Sequence, residues 1–570
     1  MKALVFFAIL LSVARAEAAD YYVSPTGSDS NAGSMAAPFA TLQKGNDVAA
    51  AGDTVWLRGG TYQNTKQIKL SKSGQSDTKR INFWAYQKEV PVLDFSKYVS
   101  TNTAVDSPTI LVTGSWLHLR GLEIANGAVG ASGTHSNDAL RSEGASNNVF
   151  ELLNIHHNFG PGLFISKGTG GNLILKCDSH DNYDKDGSQG DGQNADGFGV
   201  HYQMSGPSTT IRGCRAWLDS DDGYDLISQE VPVLIENSWA VSNGYSNGGS
   251  GTPSSGNGNG FKAGSSETGI RHILQNNVAW KNRAAGFYAN HSSGGNTWLN
   301  NTSYMNAVQY NMLASPAGDS ATTIVLSGAL AHKMRNNIGF PNTNTNMSGV
   351  DSMFDTWDLS ISEASTDFVS TADAGFMGPR QADGSLPALE FLKLKAGSPL
   401  IDKGTNVGLP YVGSAPDLGA YEYGVVNSSG GTSGAGNSAG GNDGSSGNAS
   451  SAGGASAAGG RPASTGGAGG SALGTAGAPD AGGSSSVAGA AGGSSSVGTA
   501  GQAAGPNGTA GTATASPAGS PGVTDSGAAS GCTCNLSSAA RRNQRGSLLL
   551  LGAAYLLVRG RRRARASKSR

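Results

Sequence analysis

The chain has 570 residues, a net charge of −2 and only 14% charged residues, so it carries no basic footprint of a nucleic-acid binder. Much of its glycine, 86 residues in all, lies after Tyr423, which places the folded part before that point.

Met1 to Ala19 reads as a secretory signal. Lys2 gives the positive start, Ala3 to Val13 the apolar run, and Ala16-Glu17-Ala18 a small-x-small cleavage site. The run is too short for a membrane span, so the chain is expected to be exported. From Asp20 to Tyr423 the pattern predicts one domain. Thr41 to Ala51 is the best helical stretch, set to cap the first coil before a strand at Thr54 to Leu57. A second short helix is predicted at Leu389 to Ala396.

Between Leu153 and Tyr288 the sequence aligns with itself as five lines. They end in Pro161-Gly162-Leu163-Phe164, Asp196-Gly197-Phe198-Gly199, Asp222-Gly223-Tyr224-Asp225, Asn259-Gly260-Phe261-Lys262 and Ala285-Gly286-Phe287-Tyr288. Glycine-to-glycine spacings are 35, 26, 37 and 26. The shorter ones match a repeat unit, and the longer ones contain insertions, Asp184 to Gln193 and Gly244 to Gly258, expected as loops on one side. Short apolar strands recur at Leu173-Ile174-Leu175, Thr210-Ile211, Val233-Leu234-Ile235, His272-Ile273-Leu274 and Thr297-Trp298-Leu299. With polar corners and no long helical pattern, they predict an all-β class: a solenoid of parallel strands, a parallel β-helix.

Asn158, Asn182, Asp219, Asn243, Asn282 and Asn306 share a turn position. They are expected to stack as a structural column, tolerating left-handed turn geometry and bonding the next coil. Phe198, Tyr224, Phe261 and Phe287 are expected to stack in the core. Cys177 and Cys214 share one frame position on neighbouring lines, so they are a disulfide or a pair of packed thiols.

Gly424 to Gly531 is almost wholly Gly, Ala, Ser, Thr and Pro and reads as a flexible spacer without a core. The end, 532–570, holds Cys532-Thr533-Cys534, an apolar run Leu548 to Val558 and a basic stretch Arg559 to Arg570. These three parts together resemble the C-terminal sorting segments of myxobacterial surface proteins. That resemblance implies retention at the cell surface, with envelope or membrane attachment through the tail.

Coils stack about 4.8 Å apart. The frame therefore sets Asp196 beside Asp222, and Asp225 beside Lys262. Like charges at that distance repel, and a bound cation is the simplest reason to keep them. Asp219, Asp221, Asp222 and Asp225 crowd one turn with Asp196 one coil away, an all-oxygen set suited to Ca2+, and no His/Cys cluster is expected to compete for a softer metal. Asp222 and Asp225 are three positions apart, so a corner must lie between them if both bind one ion. Lys262, beside this cluster, is the candidate base, with a cation and partial burial expected to lower its pKa. Arg283, one coil further, is the candidate partner of a substrate carboxylate, ahead of Lys185 and Lys281.

Three stretches resemble the pectate lyases of polysaccharide lyase family nine. One is the opening, from Tyr21-Tyr22-Val23-Ser24-Pro25 to Arg58-Gly59-Gly60-Thr61-Tyr62. The second is the centre: Asp196-Gly197-Phe198, Asp221-Asp222-Gly223-Tyr224-Asp225 and Asn259-Gly260-Phe261-Lys262. The third is the close, Gly397-Ser398-Pro399-Leu400-Ile401-Asp402 with Pro416-Asp417-Leu418-Gly419. The resemblance implies a right-handed parallel β-helix. It also implies calcium ligands at Asp196, Asp221, Asp222 and Asp225, and a catalytic lysine at Lys262. The implied reaction is β-elimination in a polyuronate such as pectate, by a monomer. Two alternatives stand beside it: a lyase on rhamnogalacturonan or another uronate polymer, and a non-catalytic surface protein binding carbohydrate through structural calcium.

Overall fold

The computed structural model describes residues 17–99, 107–127, 137–185, 190–246, 251–265 and 269–425. The expected signal core, the spacer and the tail segment lie outside the described residues.

The repeat frame folds as read. Each turn of the chain lays one strand in each of three parallel sheets, which have twelve, ten and nine strands. Leu173–Leu175 lies in the first sheet, Asp178–His180 in the second and Phe198–His201 in the third. Thr209–Arg212 then returns beside Leu173–Leu175. The fold is a right-handed parallel β-helix. Alternation sorts the side chains: Phe150, Ile174, Ile211 and Ile235 point inward in register, each at most 1% exposed. Their stacking along the axis builds the long main core.

One left-handed residue turns the chain at each of two corners. Leu152, Lys176, Asn237 and Asn276 bend it from the first sheet to the second; His157, Asp181, Leu218 and Ser242 follow the second. The asparagine column follows directly on the second set. The asparagines themselves are not the left-handed residues, contrary to expectation; the residue before each one is. Their side chains turn inward instead and form a ladder. Asn158 N donates to Asn182 Oδ1 (3.1 Å), Asn182 N to Asp219 Oδ1 (3.2 Å), and Asp219 N to Asn243 Oδ1 (3.1 Å). Asn243 and Asn282 continue it to Asn306 at 3.1 and 2.9 Å. Buried corner N–H groups are thereby paired without a strand.

The glycine column has its cause here. A Cβ at Gly223 would stand 2.8 Å from Asn243 Nδ2 and 2.8 Å from the Gly260 carbonyl oxygen; at Gly260 it would meet Asn282 Nδ2 and the Gly286 oxygen at 2.8 and 2.7 Å. Only glycine lets the corner press onto the ladder. One residue on, the aromatic stack runs Phe198, Tyr224, Phe261, Phe287 with centroids 4.5–5.2 Å apart, and extends to Tyr310.

Cys177 and Cys214 are free, buried thiols. They belong to a second ladder at the other corner. Cys177 N donates to Cys214 Sγ (3.3 Å), Cys214 N to Ser238 Oγ (3.1 Å), and the series continues through Asn277, Asn301 and Asn337 to Asp355. The sulfurs stand where asparagine oxygens stand in later coils.

The capping helix runs Leu42–Val48, with the Thr41 side chain accepting from Lys44 N. Gly45 lets it approach Val55, whose Cγ1 would be 2.6 Å from an added Cβ. The predicted helix at Leu389 to Ala396 is not formed. Leu392 is left-handed (φ 54°), and Phe391 and Leu394 bridge to Ser370 and Phe368. Burial decides this: Phe391, Leu392 and Leu394 cover the outward Trp217, Trp239 and Trp280 of the second sheet, which a helix would cover only in part. Asp178, held by both Arg215 and Arg380, ties this closing segment to the same sheet.

Candidate active site

Both insertions leave the corner between the second and third sheets, two coils apart. They meet across the coil between them, where Ser255 N donates to the Asp191 carbonyl at 2.7 Å. Beneath that junction lies the acidic turn. Asp221 and Asp222 sit in the corner before the Tyr224–Ile227 strand; Asp225 sits in the strand. The required corner between Asp222 and Asp225 therefore exists. Asp196, one coil back, accepts from Asp222 N at 3.1 Å. Asp225 and Lys262 are register partners in adjacent strands of the third sheet, as the frame requires.

The structure brings all five residues together. Lys262 Nζ is 2.9 Å from Asp222 Oδ2 and 3.3 Å from Asp225 Oδ2. It donates to Asp225 Oδ2 and, at 3.0 Å, to Asn257 Oδ1. The Asp222 contact is a close ion pair off the hydrogen-bond direction, so among the described residues Asp222 Oδ2 has no hydrogen-bond partner, and neither does Asp225 Oδ1. Asp222 Oδ1 is held by Asn259 N and Nδ2 at 2.7 and 2.9 Å. Asp221 accepts from Asn257 N.

Burial is deeper than expected: Lys262 is 5% exposed and Asp222 0%. Burial first, then the neighbouring carboxylates, push the Asp196 carboxyl well above its usual range. Asp221 moves the same way for the same two causes, and Asp222 moves up through burial, with Lys262 opposing. Burial also acts on Asp225, but Lys262 and His201, whose Nε2 is 3.4 Å from Asp225 Oδ2, outweigh it and hold that carboxyl low. For Lys262 burial acts in the expected direction, and the neighbouring carboxylates are the charge a bound cation would have to offset. Burial does favour the neutral amine, but Asp222, Asp225, Asp221 and Asp196 outweigh it, and the ammonium is held well above its ordinary range.

One ammonium cannot balance four carboxylates. Two unit charges 4 Å apart at an effective dielectric near 20 repel by roughly 4 kcal/mol. The four aspartates offer only oxygen, with His201 the one nitrogen ligand type grouped with them, and two of their buried oxygens lack hydrogen bonds among the described residues. Those features fit a hard divalent cation that takes carboxylate ligands in a flexible shell.

Arg283 stands one coil beyond Lys262. Its Nη2 donates to the Gly256 carbonyl, and its side chain packs against Gly244 and Gly258 at both ends of the second insertion. Lys281 instead pairs with Asp373 at 2.8 Å, and Lys185 is exposed. Sequence reasoning missed Asn257, His201 and the role of Asn259. Asn259 stood inside a quoted motif. Asn257 lies in a Gly-Ser-Asn loop with no periodic signal, and His201 ends a strand two positions past Gly199.

Comparison with known proteins bears on the family and the fold. The profile of the Pel9A-like, right-handed β-helix region matches residues 21–345. Pectate lyase L of Dickeya dadantii is 35% identical over 411 residues, 70% of this chain and 90% of that protein. The crystal structure of pectate lyase Pel9A superposes with a TM-score of 0.60 at 33% identity, covering 71% of this chain and 97% of that one. A rhamnogalacturonan lyase superposes at 0.59 and 32% identity, covering 66% and 96%.

Proposed function

We propose, from the premise that the chain belongs to the Pel9A-like right-handed β-helix family and is a polysaccharide lyase, that it is a secreted, calcium-dependent pectate lyase acting by β-elimination. The observation that carries this reading is the amine of Lys262 between Asp222 and Asp225.

Asp196, Asp221, Asp222 and Asp225 would hold the calcium ion. When bound, calcium supplies the charge that offsets these carboxylates around the amine and acidifies the proton next to a uronate carboxylate. Lys262 Nζ removes the C5 proton as general base. The electron pair of that C–H bond forms the C4–C5 double bond, and O4 leaves with the glycosidic bonding pair and takes up a proton from solvent, to which Lys262 returns the one it removed. No water is consumed, so the paired acid and base of a glycosidase are not required. Asn257 Oδ1 fixes the amine's position, and Asn259 fixes Asp222. Arg283 supplies positive charge one coil further on for a substrate carboxylate, its place set by its bond to Gly256. Retention at the cell surface through the tail belongs to the same proposal.

A second reading, action on rhamnogalacturonan, is favoured by the near-equal superposition of the rhamnogalacturonan lyase. The two insertions over the acidic turn would set that choice. Ultraviolet absorbance of unsaturated products on polygalacturonate and on rhamnogalacturonan, each with calcium and with chelator, tests both. No product on either polymer sinks the lyase mechanism; product on rhamnogalacturonan alone replaces the first reading with the second.

A further inference from the structure

A second cluster of ligand-type side chains lies in the coils that precede the acidic turn, and the lyase chemistry does not use it. Two consecutive coils place the same two positions in register. In one, His156 ends the Asn154–His156 strand and His157 is the left-handed corner residue. In the next, His180 ends the Asp178–His180 strand and Asp181 is the corner residue. His156 and His180 are register partners, and their rings stack at 4.9 Å.

The ring nitrogens are sorted. His180 Nε2 is 3.1 Å from Asn154 Oδ1, an atom that only accepts, so that nitrogen carries the proton. His156 Nε2 likewise faces Glu123 Oε1 at 3.3 Å. Both Nδ1 atoms are thereby turned toward the corner. There His180 Nδ1 stands 2.7 Å from Asp181 Oδ2, and His156 Nδ1 stands 2.8 Å from His157 Nδ1. A nitrogen lone pair that close to a carboxylate oxygen requires a proton or a cation between them. One donor atom each from His157, His180 and Asp181 lies within 4.8 Å of the others. Around a tetrahedral ion with bonds of about 2.0–2.1 Å, donors sit roughly 3.3 Å apart. That separation falls between the close pair and the spread of the cluster.

We infer that His157, His180 and Asp181 form a second metal site, for a borderline divalent ion of the zinc class. Two imidazoles and one carboxylate select such an ion over the hard cation that suits four carboxylates. Asn154 on His180 is the outer partner that orients a ligating imidazole, and Trp217, stacked on His180 at 4.1 Å, shields it from one side. The site shares no ligand with the acidic turn.

The test is zinc titration of the full chain by calorimetry and by thermal melting, in saturating calcium so that the acidic turn is engaged. The wild type is expected to take up zinc and to melt at a higher temperature as zinc rises. His157→Asn and Asp181→Asn keep a residue that tolerates the left-handed corner, so each is expected to melt like wild type without zinc. Each is expected to bind zinc at least ~10-fold more weakly, with lyase turnover in calcium unchanged. No zinc uptake by the wild type would show a plain imidazole–carboxylate hydrogen bond and overturn the inference. Equal zinc uptake by both variants would place the ion elsewhere, Cys532 and Cys534 included, and overturn it too.

Discussion

The two corners flanking the second sheet solve the same problem with opposite results. At the corner from the first sheet, Cys214, Ser238, Asn277, Asn301 and Asn337 hand one hydrogen bond to the next coil, and the buried N–H groups are paired. At the corner toward the third sheet the asparagine ladder does the same, but just beyond it the chain buries Asp221, Asp222 and, one coil away, Asp196 against one another. Among the described residues, Asp222 Oδ2 and Asp225 Oδ1 are left without hydrogen bonds. Uncharged, paired groups specify a fold; buried like charges cost stability and are kept where chemistry needs them. The difference separates scaffold from site within a single coil.

The sharpest way to break this comparison is to remove the amine. Lys262→Ala should lower turnover on polygalacturonate by about 10² to 10⁴ while circular dichroism stays that of wild type. Lys262→Arg should fail nearly as badly, because guanidinium stays protonated. Near-normal turnover in Lys262→Ala would move the acidic turn to the scaffold side. Next comes the metal: excess chelator should abolish activity and added calcium restore it, and Asp222→Ala should require far more calcium than wild type for any activity. Activity that persists in chelator would detach the carboxylates from the reaction.

A change on the scaffold side should show the reverse pattern. Asn282 Oδ1 accepts from both Asn243 N and Nδ2, so Asn282→Ala leaves the buried Asn243 N–H unpaired and Nδ2 with only its 3.4 Å bond to the Ala216 carbonyl. The expected loss is about 1–3 kcal/mol in denaturant unfolding, with turnover per folded molecule preserved. Asp355, which closes the other ladder, sharpens the point through pH. Burial raises its carboxyl from 3.8 to about 7. A group raised on folding contributes fully below its unfolded pKa and loses that contribution as pH rises through its folded one, here between pH 4 and 7. The span is worth on the order of 4 kcal/mol. Asp355→Asn should therefore match wild type near pH 4 and melt higher at pH 8; an equal offset at both pH values would refute the assignment. The smallest effect is expected from ending the chain at Tyr423, which should leave melting temperature and turnover unchanged.

Much of this molecule could be read from one glycine column. The period, the inward aromatic stack, the asparagine ladder and the Asp225–Lys262 register all follow from coils stacking one strand apart, because equivalent residues must then become neighbours. Sequence also fixed which residue types could meet at the acidic turn. It did not reveal why the column is glycine, since that depends on an asparagine amide from the next coil lying within 3 Å of the absent Cβ. Nor did it reveal Asn257, carried in by an insertion whose path is set by Arg283 and Gly256 rather than by any period. Local propensity at Leu389 to Ala396 favours a helix, whereas the outward-facing tryptophans of the second sheet are buried under an extended cover. Tertiary structure alone decided the charge balance around Lys262. Burial pulls toward the neutral amine, and four carboxylates converging from two coils pull harder the other way, a balance set by distances that the order of residues does not contain.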